Sequence, residues 1–149
     1  MIKKLLHQDE KVAAEILEIQ VPAYKIEAEL IGFNGIPQLQ DSIHDIIISK
    51  EIFIGYYEES QLTGFISFMN TDELIDICRL VVHPNFFRKG IASILLKHVL
   101  EIKKASQHIE VSTGAKNTPA IQLYERFGFK RRNDIEIEPD FFITQLIYK

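Results

Sequence analysis

The sequence predicts a mixed α/β (α+β) fold: one twisted, mostly antiparallel sheet flanked by helices, with a single parallel βαβ unit. Three observations predict it. Apolar runs over residues 52–57 and 62–69 flank Glu58-Glu59-Ser60-Gln61, the pattern of an antiparallel hairpin. The strand-like run 74–82 ends in Arg79-Leu80-Val81-Val82-His83-Pro84, and Lys89-Gly90-Ile91-Ala92 then opens a segment whose apolar positions Ile91, Leu95, Val99 and Ile102 recur at helical spacing. A second strand-like run, 109–113, follows that helix, so a βαβ unit with a right-handed crossover is expected.

Each remaining element has its own local cause. Residues 1–6 read as a short first strand. Residues 9–19 carry Val12, Ala13, Ile16 and Ile19 at helical spacing, and Val21-Pro22 is expected to break or kink that helix because proline has no N–H to donate. A further helix over 23–31 should stop at Gly32. Asn34-Gly35 and Pro37 make 33–40 an irregular loop, after which Asp41 or Ser42 can cap a short helix through Ile48. Pro119 and Gly128 suit the start and stop of another helix, and 129–136 and 141–148 finish the sheet as strands around Pro139.

Composition narrows the function classes. The chain has 149 residues, 46% of them hydrophobic, enough for one domain (1–149) with a sound core. No stretch approaches the ~18 unbroken apolar residues of a membrane span, and 1–6 are cut short by His7-Gln8-Asp9-Glu10 before a signal-peptide core forms. A net charge of −4 argues against a nucleic-acid binder. The single cysteine, Cys78, excludes an internal disulfide and fits a reducing cytoplasm, where it reads as a small buried hydrophobe. The five histidines are scattered without metal-ligand spacing, so no metal site is expected.

A strand that runs through a glycine-containing loop into a helix leaves backbone N–H groups unpaired at the helix start, where they can receive a phosphate. Arg88 and Lys89 add positive charge beside Gly90, Ile91 and Ala92. Downstream stands Asn117-Thr118-Pro119-Ala120-Ile121-Gln122-Leu123-Tyr124-Glu125-Arg126-Phe127-Gly128-Phe129. Together the two segments resemble the GNAT superfamily of acetyl-CoA-dependent N-acetyltransferases, the first its pyrophosphate loop and the second its Asn…Ala-x-x-Leu-Tyr-x-x-x-Gly-Phe motif. The resemblance is specific over about residues 74–129. One departure is plain: Phe87 stands where the family's loop carries Gln or Arg, leaving Arg88 or the backbone amides to hold the anion.

The resemblance implies a GNAT-like fold with the parallel βαβ unit at the cofactor site. It also implies acetyl transfer from acetyl-CoA to a primary amine, from either a small molecule or a protein. The pantetheine arm would lie along Leu80, Val81 and Val82, the pyrophosphate on Arg88 through Ala92, and Asn117 would contact the arm; a loop or capping Asn is the other reading of Asn117. Tyr124 is the expected general acid toward the leaving thiolate, with a core aromatic as its alternative. Asp76 is the general base that the resemblance implies, on the strand where family members place a carboxylate; period two puts Asp76, Cys78, Leu80 and Val82 on one face, and an exposed strand carboxylate is the other reading. Tyr24, Glu27 and Glu29, with Glu136, Glu138 and Asp140, could attract a cationic amine or form a solvated face. A homodimer is compatible with this reading. A non-catalytic acyl-CoA-binding or sensor domain is the alternative, whereas a dinucleotide-binding domain lacks its Gly-x-Gly-x-x-Gly.

Overall fold

The computed structural model describes residues 1–149. Its elements run β1 (Ile2–Lys4), α1 (Glu10–Ile31), α2 (Ile43–Ile48), β2 (Ile52–Glu58), β3 (Gln61–Asn70), β4 (Leu74–Val82), α3 (Ile91–Ile102), β5 (His108–Gly114), α4 (Thr118–Arg126), β6 (Lys130–Glu138) and β7 (Phe141–Tyr148). One seven-stranded sheet takes the order β1-β2-β3-β4-β5-β7-β6. Every neighbouring pair is antiparallel except β4 and β5, so the expected fold class holds. No helix is long and apolar enough to cross a membrane.

Helices cover both faces. On one, α3 and α4 bury Ile91, Leu95, Leu96, Val99, Ile121 and Leu123 against Ile66, Phe68, Ile75 and Ile77. On the other, α1 buries Ala13, Ile16, Ile19, Tyr24, Ala28 and Ile31 with Phe53, Phe65 and Val81. The expected break at Pro22 does not occur, and α1 runs unbroken with Pro22 inside. Proline in a helix interior costs about 3 kcal/mol. Burying one large apolar side chain returns roughly 1.5–3 kcal/mol. The stripe on both sides of Pro22 outweighs the loss. Asp9 caps the start of this helix, and Gly32 stops it in the left-handed region at φ 68°.

Two irregularities shape the centre of the sheet. β4 pairs with β5 only from Leu74/His108 to Ile77/Val111; beyond that the strands separate, β4 staying with β3 and β5 with β7. At the same point the β3–β4 register shifts, for Ser67 faces Arg79 while Phe68 faces Ile77, leaving Cys78 as the extra residue of a bulge. A bulge increases local twist and reverses the faces beyond it. Ile77 therefore shares a face with Leu80 and Val82, while Asp76 shares the opposite face with Arg79 and Val81. The period-two reading that put Asp76 beside Leu80 and Val82 is corrected by this one inserted residue.

Candidate active site

The separation of β4 from β5 opens a cavity of about 790 Å³, lined on one side by Ile77, Leu80 and Val82 and on the other by Val111, Thr113 and Gly114. Its β4 edge is a free strand edge. Backbone groups alternate sides along an antiparallel strand. The His83 N–H is taken by the Thr63 carbonyl at 2.9 Å, so Val82, and Leu80 two residues earlier, direct their N–H and C=O groups away from β3 into the gap. Val81 directs its groups at β3, and its side chain is buried in the α1 core. Of the three strand residues expected to meet an extended arm, Leu80 and Val82 face the opening and Val81 does not.

The loop before α3 lines the cavity with free backbone amides. Arg88 (φ 66°) and Gly90 (φ 77°) are both left-handed. None of the six backbone N–H groups from Arg88 to Ser93 donates within the protein, and no side chain caps the helix. Successive free amides of this kind form an anion-binding concavity. A Cβ at Gly90 would meet nothing within 4 Å, so the loop presents open space there. Arg88, Gly90, Ile91 and Ala92 line the cavity, joined by Arg126 from the last turn of α4. Lys89 does not line it; its ammonium lies 3.9 Å from Glu58 and over the Phe86 ring. That exposed pair is worth little.

Tyr124, Asn117, Glu27 and Tyr24 meet on the cavity wall. Asn117 holds two roles at once. Its Oδ1 caps α4 by accepting from the Ala120 N–H at 3.3 Å, while its Nδ2 donates to Glu27 Oε1 at 3.1 Å and Thr113 Oγ1 at 3.2 Å. Burial raises the Glu27 carboxyl above the ordinary range, and the Asn117 bond partly opposes it. Burial, then the nearby Glu27 charge, pushes the Tyr124 phenol well above its ordinary value, and Tyr24 is raised for the same two reasons. No buried side-chain polar atom lacks a partner, so the tyrosine hydroxyls open onto the cavity rather than being sealed in the core. Glu27 belongs to α1, three residues after Tyr24 and four before Ile31, on one helix face. All three fall within the helix expected over 23–31, where Glu27 is one of several acidic candidates; the contact with Asn117 singles it out.

Two strand groups fall outside this chemistry. Asp76 does not line the cavity; it stands opposite Glu110 in the parallel pairing, and burial followed by the Glu110 charge raises its carboxyl. Cys78 reaches the cavity, but burial and the Glu51 charge push its thiol up to about 12, so it is no thiolate nucleophile at neutral pH.

Arg79, quoted within the first motif but given no role by the sequence, organises the floor. Its guanidinium meets Asp41 at 2.6 Å, Gln20 at 2.8 Å and Glu51 at 3.1 Å, and Ser67 donates to Glu51 at 2.6 Å. Gln20 also donates to the Gln38 carbonyl at 2.9 Å. The network ties α1, β3 and β4 to the 33–41 loop, whose Phe33, Ile36 and Gln38 form a wall of the cavity.

The model of the acetyltransferase (GNAT) family matches residues 13–129, the greater part of the chain. The chain belongs to that family. It is 45% identical over 136 residues to the UPF0157 protein YqkA of Bacillus subtilis, covering 91% of the chain but only 40% of YqkA. It thus spans less than half the length of that relative. The PaiA N-acetyltransferase of Thermoplasma acidophilum, solved in complex with coenzyme A, shares its fold at a TM-score of 0.76 and 19% identity over 97% of this chain and 96% of that one. The ribosomal-protein-S18-alanine N-acetyltransferase of Escherichia coli does so at 0.78 and 16%, over 99% and 92%.

Proposed function

We propose that this member of the GNAT family takes an acetyl group from acetyl-CoA and delivers it to a primary amine by direct attack on the thioester. One observation carries the reading: a single cavity joins the free-amide residues Arg88 and Gly90 to Ser93, the free edge at Leu80 and Val82, and the Glu27–Asn117–Tyr124 cluster. The first two suit the pyrophosphate and the pantetheine arm of acetyl-CoA, which supplies the activated acetyl group. PaiA was solved with coenzyme A on the same fold.

The protein's own groups divide the remaining work. Glu27 takes a proton from the incoming ammonium, leaving a nitrogen lone pair. That pair forms the C–N bond as the C–S bond breaks. The Val82 N–H is free to donate to charge developing on the carbonyl oxygen. The second nitrogen proton goes to the departing thiolate, with the Tyr124 hydroxyl hydrogen-bonded to it. Tyrosine at ~10 is a weaker acid than a thiol at ~8.5, and burial weakens Tyr124 further. Tyr124 therefore assists by hydrogen bonding more than by full transfer.

The test is release of free coenzyme A from acetyl-CoA, followed with a thiol reagent, with and without primary amines. Amine-dependent release is expected. Acetyl-CoA binding by calorimetry with no release across the amines would leave a non-catalytic acyl-CoA-binding domain instead.

A further inference from the structure

The acceptor side of the cavity, away from the amide loop, has an uneven chemistry. Ile31 and Phe33 from the end of α1, Ile36 from the following loop, and Ile137, Phe141 and Ile143 from the β6–β7 hairpin line it. Phe33 and Phe141 stack with ring centroids 3.9 Å apart and planes 10° from parallel, joining the loop to the hairpin. Ile137 carries the apolar surface to the rim, where it is 53% exposed. Against this stands one carboxylate. Glu27 is the only acidic residue lining the cavity; Glu29, Glu136, Glu138 and Asp140 do not reach it.

The cations around it are also placed against a polycation. Arg79 has its charge met by Asp41 and Glu51, while Arg88 and Arg126 line the cavity with positive charge. A second ammonium on the acceptor would find no second carboxylate in the cavity lining, only apolar side chains, neutral polar groups such as Gln38 and Thr113, and guanidinium groups. Stripping water from a charge without providing a partner is costly. One cationic head is matched; two are not.

Resting on the acetyltransferase reading above, we propose that the acceptor is a monocationic primary amine with a compact apolar or aromatic body. Its ammonium faces Glu27, and its body lies against Ile31 and the stacked Phe33 and Phe141. Polyamines and aminoglycosides are the classes this wall rejects.

The experiment measures kcat/KM by coenzyme A release for 2-phenylethylamine, isoamylamine, ethanolamine, spermidine, kanamycin and a short peptide with a polar N-terminal residue. The two apolar monoamines are expected to exceed ethanolamine and spermidine by about tenfold or more. An Ile137→Asp variant, changed at an exposed position of this wall, should raise KM for 2-phenylethylamine about fivefold. It should also move the preference toward spermidine. Wild-type preference for spermidine, kanamycin or the peptide would overturn the proposal while leaving amine acetylation standing. If acetyl-CoA binds but no amine is consumed, the acetyltransferase reading fails. Calorimetry of 2-phenylethylamine and ethanolamine on the coenzyme A-loaded protein then decides: selective heat with the former keeps the seat, and none removes it.

Discussion

Tyr124 and Glu27 sit in one cavity wall, and burial raises both, yet the consequences differ. A raised phenol is a poorer proton donor, so Tyr124→Phe should lower kcat by about a hundredfold, the low end for acid–base assistance. Acetyl-CoA affinity by calorimetry should change little. A raised carboxyl is a better proton acceptor. Below its folded-state pKa Glu27 is protonated and cannot accept, so the acid limb of the pH–rate profile should fall above the ordinary glutamate value of 4.5. Glu27→Gln should abolish that limb along with most of the rate. Asn117→Ser keeps an N-cap oxygen for α4 but is too short to reach Glu27. Losing a bond that lowers the Glu27 pKa, this variant should move the acid limb upward in a profile at saturating acetyl-CoA. Asp76→Asn, outside the cavity, should superimpose on wild type.

At the scale of elements, the decisive features are one helix start and one inserted strand residue. The start of α3 has no side-chain cap, its amides are free, and a Cβ at Gly90 would meet open space. A β-branched residue at φ 77° costs roughly 1–2 kcal/mol in backbone strain, and its side chain fills that space. Gly90→Val should therefore weaken coenzyme A binding by at least about tenfold by calorimetry while circular dichroism stays unchanged. Unaltered affinity in the folded variant would remove the loop from the anion site. The bulge at Cys78 acts on the other wall, turning Leu80 and Val82 to the cavity side and Asp76 away from it.

Across the whole molecule, the Arg79 network joins the helical layer to the sheet and holds the 33–41 loop against the site. Arg79 is 8% exposed and its carboxylate partners are partly buried. Removing one member of a buried pair typically costs about 3–5 kcal/mol. Arg79→Met should cost about that much in chemical denaturation at pH 7. Burial alone would raise Glu51, but Arg79 and Ser67 override it and hold its carboxyl below the ordinary value. A carboxyl lowered on folding contributes stability above its unfolded pKa, and loses that contribution as pH falls through its folded value. The gap between wild type and Arg79→Met should accordingly narrow in acid. A constant gap would mean that Glu51 is not the coupled group.

Hydrophobic period and turn chemistry are local, so the sheet-forming runs, the Gly90 helix start, and the Pro119 and Gly128 boundaries could be read from residues alone. The motif around Tyr124 and Asn117 was legible for the same reason: its residues are held together by one helix and its cap. Pro22 misled because a local penalty was weighed without the core that outweighs it. Asp76 misled because a strand's period is only as good as its register, and the Cys78 bulge is visible only in the pairing with β3. Glu27 and Asn117 are 90 residues apart, and Arg79 lies 59 residues from Gln20 and 28 from Glu51. Such contacts form only when the packed sheet brings distant segments together. Which carboxylate lines the cavity, and how apolar its surroundings are, was decided by that packing.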